Sequence, residues 1–240
     1  MKRAVVIAHH HRNGFIRTDT QQLVTRLVSV FDKVIFVSTN LNNSQLDLLP
    51  PNVEVIIREN IGYDFYSYRL GLLSVLNQEY EFICVMNTSV VCLDIEKFVS
   101  AVSALRPADS EICGITKSVM IAPHIQSYLY MIPKSVLHRH DVVSWWVDMM
   151  PINNLTDVIF KHEVGFSKLL TSKGITLSAL NYGNTDEDPS HHNWKELLDT
   201  YGIIKIRLLR DNPFHLDLEY VHKIAQNWDI ANALNQGLYN

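Results

Sequence analysis

The sequence predicts an α/β fold in which a mainly parallel central sheet is covered by helices on both faces, a three-layer α/β/α arrangement. Three observations carry this. Short apolar, β-branched runs alternate with helix-length amphipathic segments through residues 1–106. Each run is apolar on both parities, as in a strand buried on both faces. Polar residues follow each run directly, which is where open parallel sheets bind ligands.

Residues 4–8 form the first such run, followed by His9-His10-His11 and Gly14. Asp19 then stands where a helix cap is expected, ahead of Leu23, Leu27, Val28 and Phe31 on one helical face. Residues 34–38 and 53–58 are the next strands, the latter entered through the turn Pro50-Pro51-Asn52. Residues 66–76 have helical spacing through Tyr66, Leu70, Leu73 and Leu76, and residues 82–86 form a fourth strand. An amphipathic helix over residues 95–105 stops at Arg106-Pro107, because proline cannot continue it. Strands joined by such helices demand right-handed crossovers.

The second half is less regular. Strands are expected at 112–116 and 127–132, helices at 136–147, 157–171 and 194–200, and a polar loop over 181–193. Gly174 ends the second of those helices, and residues 203–209 fit either a strand or a helix. No repeat or linker divides the chain, so residues 1–240 read as a single domain.

Composition narrows the function. The 240 residues carry 21 Lys+Arg against 25 Asp+Glu, a formal net charge of −4, with 47% hydrophobic and 19% charged residues. No basic block exists to neutralise phosphates along a strand, so no nucleic-acid partner is expected. No apolar run approaches the roughly 18 residues of a membrane span, and Met1-Lys2-Arg3 leads into a strand, not a signal peptide. Three cysteines, Cys84, Cys92 and Cys113, have no metal or redox spacing and read as free thiols of a reducing compartment.

Candidate chemistry gathers at the strand ends. In Arg58-Glu59-Asn60-Ile61-Gly62-Tyr63-Asp64-Phe65 a strand ends in a polar turn and a helix begins, with Ser67 and Arg69 just beyond. A helix start with an arginine suits a phosphate or a ribose hydroxyl; Asp64 as a plain helix cap is the equal alternative. After the fourth strand comes Asn87-Thr88-Ser89, where many sugar-nucleotide enzymes hold an Asp-x-Asp pair for a divalent cation. Asn and Ser can bond a phosphate or a sugar but hold Mg²⁺ or Mn²⁺ weakly. Glu163 is expected on or near the start of a long helix, where the helix dipole favours the ionised carboxylate of a general base, although a surface Glu in a first helical turn is the commoner case. His191-His192 follows Asp186-Glu187-Asp188 and fits a metal, a diphosphate or an ordinary polar loop.

Eight segments, in order, resemble the rhamnan synthesis protein F family of bacterial polysaccharide glycosyltransferases. They are Val5-Val6-Ile7-Ala8-His9-His10, Val34-Ile35-Phe36-Val37-Ser38-Thr39, the Arg58 to Phe65 stretch with Ser67-Tyr68-Arg69, and Asn87-Thr88-Ser89-Val90. His124-Ile125-Gln126-Ser127-Tyr128, His162-Glu163-Val164-Gly165-Phe166-Ser167, Pro189-Ser190-His191-His192-Asn193-Trp194 and Leu208-Leu209-Arg210-Asp211-Asn212-Pro213 complete the set. The resemblance implies a GT-A-like fold, with a nucleotide-binding half over about 1–106 and an acceptor-binding half over about 107–240. It implies transfer of a sugar, rhamnose from dTDP-rhamnose as the leading case, to a cell-surface polysaccharide or lipopolysaccharide. The acceptor would be a glycan or lipid-linked glycan, and the work cytoplasmic, at the inner face of the membrane or within an assembly complex.

On that resemblance His9, Ser38, Asn60, Asp64 and Arg69 would hold the nucleotide, with Asn87 and Ser89 by the diphosphate and donor sugar. His124 and Gln126 would line the reaction centre, Glu163 would be the base of an inverting displacement, and Arg69 with His192 would offset charge on the leaving diphosphate. Thr88 stands where the family has Asp, which leaves the metal open: none, or one held by Asp94, the acidic loop or the nucleotide. The same departure admits a non-catalytic nucleotide- or glycan-binding domain as the alternative.

Overall fold

A computed structural model describes residues 2–182 and 187–224. Four parallel strands, β1 (Arg3–His10), β2 (Lys33–Thr39), β3 (Glu54–Arg58) and β4 (Phe82–Asn87), lie in the order β3-β2-β1-β4. Their continuous apolar runs have the expected cause. Ala4, Val6 and Ala8 of β1 enter one core, while Val5 and Ile7 enter the other. Burying both faces leaves no position for a polar residue until the strand ends.

Helices α1 (Thr18–Leu27) and α3 (Ile95–Ala104) cover one face with Leu23, Leu27, Phe98 and Val102. Helix α2 (Tyr63–Val75) covers the other with Phe65, Tyr68 and Leu72. At Gly71 the helix approaches β1 so closely that an added Cβ would lie 2.3 Å from Val6 Cγ1. Asp94 caps α3, its carboxylate accepting from the Lys97 N–H at 3.0 Å. Asp19 is not the cap: Arg17 holds that position ahead of Thr18, and Asp19 lies buried in the first turn. Phe31 lies beyond the end of α1 but still packs in the same core.

A short β5 (Val90–Cys92) precedes α3; the second half then adds to the same sheet. β6 (Glu111–Ser118) is joined by β7 (His124–Ile125) and β8 (Leu129–Pro133), and β8 pairs antiparallel with β4. The expected helix over 136–147 is divided into α4 (Lys134–Leu137) and α5 (His140–Val147), with His138-Arg139 at the break. Next come α6 (Leu155–Val158), a π-helical stretch over Ile159–Glu163 and α7 (Val164–Ser172), continuous with one another. Trp146 and Phe166, from α5 and α7, pack on the α2 face.

The polar loop expected over 181–193 is in part regular structure: Asn181 and Tyr182 end a strand, Pro189–His192 form a helix, and residues 183–186 lie outside the described residues. β9 (Thr176–Tyr182) alternates buried Leu177, Ala179 and Asn181 with outward residues, and pairs parallel with β6. Its small and polar residues mask the period-two pattern in the sequence. The one-turn α8 (Pro189–His192), α9 (Trp194–Tyr201), β10 (Ile203–Lys205), α10 (Ile206–Asp211) and α11 (Leu218–Ile224) follow. The ambiguity over 203–209 resolves as a strand that passes directly into a helix. β10 pairs antiparallel with β5, setting Lys205 opposite Val90. Among the described residues no helix is long and apolar enough to cross a membrane.

Candidate functional site

The carboxyl ends of β1 to β4 open into a hollow of about 570 Å³ lined by His9, Arg17, Arg58, Asn60, Asp64 and Ser89 among others. Beside it lies a second hollow of about 330 Å³, carrying His124, Gln126, Glu163, Asp188 and Lys205. The two share Ser89 and Ile206.

A hydrogen-bonded chain crosses the junction. Lys205 Nζ donates to Ser89 Oγ at 3.0 Å, Ser89 Oγ donates to Asn87 Oδ1 at 2.6 Å, and Asn87 Nδ2 donates to Asp64 Oδ2 at 2.7 Å. A donor-only ammonium thus stands at one end and an acceptor-only carboxylate at the other. Burial raises the Asp64 carboxyl to about 6, although Lys205, Arg58 and the Asn87 bond oppose the rise. Burial lowers Lys205, while the charges of Asp188, Glu163 and Asp64 act to raise it. The ammonium also sits 4.4 Å from the centre of the Tyr128 ring.

Arg17 fixes the turn that carries Ser89. Its Nε and one terminal nitrogen hold both oxygens of Asp19 at 2.9 Å, and the guanidinium also donates to the carbonyls of Thr88 and Val90. Arg58 does the same for the next turn, donating to Ser67 Oγ at 2.8 Å and to the carbonyls of Glu59, Ile61 and Tyr63. Gly62, at φ 73°, occupies the left-handed region that this turn requires, and its N–H donates to Asn153 Oδ1. His9 shares a 2.8 Å hydrogen bond with Ser38 Oγ. Burial, then the nearby Arg17, His11 and His10, lower His9 to about 3, so its ring is neutral.

In the second hollow His124 Nε2 lies 3.2 Å from Glu163 Oε1, and its Nδ1 bonds the Ala122 carbonyl at 2.8 Å. Burial pushes His124 down, but the Glu163 bond, the Ala122 carbonyl and the Glu163 and Asp188 charges outweigh it and raise the group above its ordinary value. In its protonated form the ring donates from both nitrogens. Ser127 Oγ donates to the other Glu163 oxygen at 2.7 Å. Gln126 accepts from Thr116 Oγ1 and donates to Asp188 Oδ1, so it orients Asp188. Burial acts against the Asp188 charge, but bonds from His191, Ser190 and Gln126 hold its carboxyl well below the usual range.

The Rhamnan synthesis protein F model matches residues 34–234, which include the lining of the smaller hollow and that of the larger one from Thr39 onward. The chain belongs to the rhamnan synthesis protein F family. The uncharacterized protein y4gN of Sinorhizobium fredii is 30% identical over 132 residues, 52% of this chain and 34% of that protein. The uronate isomerase of Sphingopyxis alaskensis is 25% identical over 103 residues, 42% of this chain and 21% of that protein. The matches therefore span about a third of one curated relative and a fifth of the other. Among solved structures, a glycosyltransferase involved in glycosylation of the major capsid of PBCV-1 is 10% identical, covering 86% of this chain and 94% of that one at a TM-score of 0.46.

In this member of the family His9, Asn60, Asp64 and Ser89 line the larger hollow, with Ser38 behind His9 and Asn87 behind Ser89 and Asp64. His124, Gln126 and Glu163 line the smaller one. Two expectations fail on placement. Arg69 donates to the carbonyls of Trp146 and Val147, tying α2 to α5, and lines neither hollow. It stands five residues after Asp64, about 140° around a helix of 3.6 residues per turn, so the two face apart. His192 pairs with Glu187 and lies near Phe214, while His191 lines the smaller hollow. Neighbours on a one-turn helix cannot both face it. Glu163 is also not at a helix N-terminus: it ends the π-helical stretch within a continuous helix, so the helix dipole does not act on it as expected. A π-bulge shifts side-chain phase and is frequent at functional sites.

The residues do not suit a divalent cation. Among the described residues no group of three His, Cys, Asp or Glu could hold one. Asp94 caps α3, Glu187 pairs with His192, and Asp186 lies outside the described residues. Asp64, Glu163 and Asp188 all act electrostatically on the Lys205 ammonium, which would repel a doubly charged ion. Lys205, Arg17 and Arg58 carry the site without having been singled out from the sequence. Arg58 alone had a signal there, as the last residue of a strand before a glycine turn.

Proposed function

We propose that the protein transfers a sugar from a nucleotide-sugar donor to a glycan or lipid-linked glycan, with inversion at the anomeric carbon. The observation that carries this reading is the junction itself: the strand-end hollow and the hollow of Glu163 meet at Ser89, so a donor across it sets its reacting carbon toward that carboxylate. The larger hollow takes the nucleotide, with Asn60, Asp64 and His9 among its polar lining. The family description, rhamnan synthesis, supports rhamnose as the sugar; a dTDP donor and a cell-surface polysaccharide product complete the proposal. Lipid-linked acceptors place the work at the inner face of the cytoplasmic membrane.

Glu163 deprotonates an acceptor hydroxyl while its oxygen attacks the anomeric carbon. The bond to the diphosphate breaks, its electron pair leaves on the diphosphate oxygen, and the proton ends on Glu163. His124 is a positioning residue: with Ser127 it fixes both oxygens of the carboxylate. Thermal shift with dTDP, UDP and GDP tests the donor site, and the absence of any stabilisation overturns it. Glu163→Gln retains nucleotide binding and loses at least about 100-fold in transfer from a sugar-nucleotide panel to a matched glycan. Full transfer by that variant removes Glu163 as the base.

A further inference from the structure

Breaking a glycosyl–diphosphate bond places negative charge on the departing oxygen, and some cationic or hydrogen-bonding group has to face it. Neither arginine nor histidine expected for that task reaches the junction: Arg69 is spent on the α5 carbonyls and His192 turns toward Glu187. Arg17 lines the larger hollow, but its guanidinium is committed to Asp19 and two backbone carbonyls. Arg58 is committed in the same way to the turn over 59–63. The strand-end position that could hold a metal reads Asn87-Thr88-Ser89, without a carboxylate, and the surrounding acids already face an ammonium.

That ammonium is placed by the fold. The β10–β5 ladder sets Lys205 opposite Val90, immediately after Ser89, and the Ile206 N–H donates to the Ser89 carbonyl at 2.9 Å. The Tyr128 ring supports the ammonium from below at 4.4 Å. Among the described residues its one hydrogen bond goes to Ser89 Oγ. Two of its three N–H donors are therefore left for a ligand at the point where the two hollows meet.

We propose that Lys205 takes the place of a divalent cation in this protein, its ammonium donating to the diphosphate of the bound donor and taking up the charge that develops as the diphosphate leaves. Ser89 holds the ammonium at the junction, and through Asn87 the same chain of bonds reaches Asp64. Burial lowers Lys205, and the charges of Asp188, Glu163 and Asp64 act against that fall in favour of the ammonium. One built-in positive charge serves where two would come from a metal, so nucleotide binding is independent of added cation.

The inference rests on the nucleotide-sugar reading above, and the test separates the two. Binding of thymidine, dTDP, UDP and GDP is measured by calorimetry on the wild type, Lys205→Met and Lys205→Arg, in EDTA and again with Mn²⁺. Expected for the wild type is diphosphate binding in EDTA that changes less than about twofold with Mn²⁺. Lys205→Met loses about tenfold to a hundredfold in diphosphate affinity, the worth of one charge-assisted bond, with thymidine affinity unchanged. Lys205→Arg, which keeps the charge, recovers most of the loss; this arm, with melting curves for each variant, guards against misfolding of the methionine variant. Wild-type binding that requires Mn²⁺, or Lys205→Met binding diphosphates as tightly as the wild type, overturns the role of Lys205 and leaves the donor site standing. Failure of the wild type to bind any of the four compounds overturns the donor site and this role with it.

Discussion

Replacing Arg17 with methionine tests how the turn carrying Ser89 is held. The Arg17 and Asp19 side chains are 5% and 2% exposed, and two N–H···O bonds join them at 2.9 Å. Methionine fills most of the volume, so little cavity results. What remains is a buried carboxylate with no cation, for which breaking a buried pair typically costs about 3–5 kcal/mol. The Thr88 and Val90 carbonyls each lose a donor as well, about 1 kcal/mol apiece, partly recovered by water at the cleft side. A loss of about 4 kcal/mol is a large share of the roughly 5–15 kcal/mol that stabilises an ordinary domain. At this chain length it lowers the melting temperature by about 8–16 °C. Urea and thermal denaturation measure it, and dTDP affinity in the same variant reports on the loosened turn. The double variant Arg17→Met/Asp19→Leu removes the stranded charge and recovers at least about half the loss. If Arg17→Met melts within about 2 °C of the wild type, or the double variant is no better than the single one, the pair does not hold the turn.

Two further outcomes follow from the same geometry. His124 is raised above its ordinary 6.5, so its pairing with Glu163 contributes fully below that pH and is lost as pH rises through the folded value. Melting temperature therefore falls as pH rises above 6.5, and His124→Gln flattens that fall; an unchanged slope in the variant contradicts the ion pair. Asp64, raised from 3.8 to about 6, also lowers stability as pH rises, but only between those values, leaving the window above 6.5 to His124. Arg69→Ala lowers stability by about 1 kcal/mol with nucleotide affinity unchanged, whereas Arg58→Ala weakens nucleotide binding several-fold by freeing the turn over 59–63. Equal effects of the two on nucleotide affinity would contradict the placement of Arg69 outside the cleft.

Much of the site was legible because buried parallel strands are apolar on both parities and turn polar only at their ends. That contrast marks His9, Ser38, Asn60, Asp64, Asn87 and Ser89 in the linear sequence. Helix geometry turns Arg69 away from the cleft, since five residues along a helix point away from Asp64 while three and four do not. Ser67 and Tyr68, at those spacings, are both buried with the α2 core face. His191 and His192 were indistinguishable, because nothing local shows which side of a one-turn helix meets the cleft. Strand β9 escaped notice since Thr176, Ser178 and Asn181 dilute its alternation, and only pairing with β6 makes it a strand.

By itself the sequence determined the α/β/α class, the strand ends as the candidate site and, through eight ordered segments, the family. Those are properties of local periodicity and of short motifs, each contained within a few residues. The tertiary structure decided which charges meet. Lys205 reaches Ser89 across 116 residues of chain, Arg17 reaches Thr88 across 71, and Ser127 reaches Glu163 across 36. Such pairs leave no spacing to read, because strand pairing and helix packing, not proximity in the chain, bring them within a hydrogen bond. At the junction of the two hollows, that long-range pairing set an ammonium where the local sequence lacks the carboxylates to hold a metal.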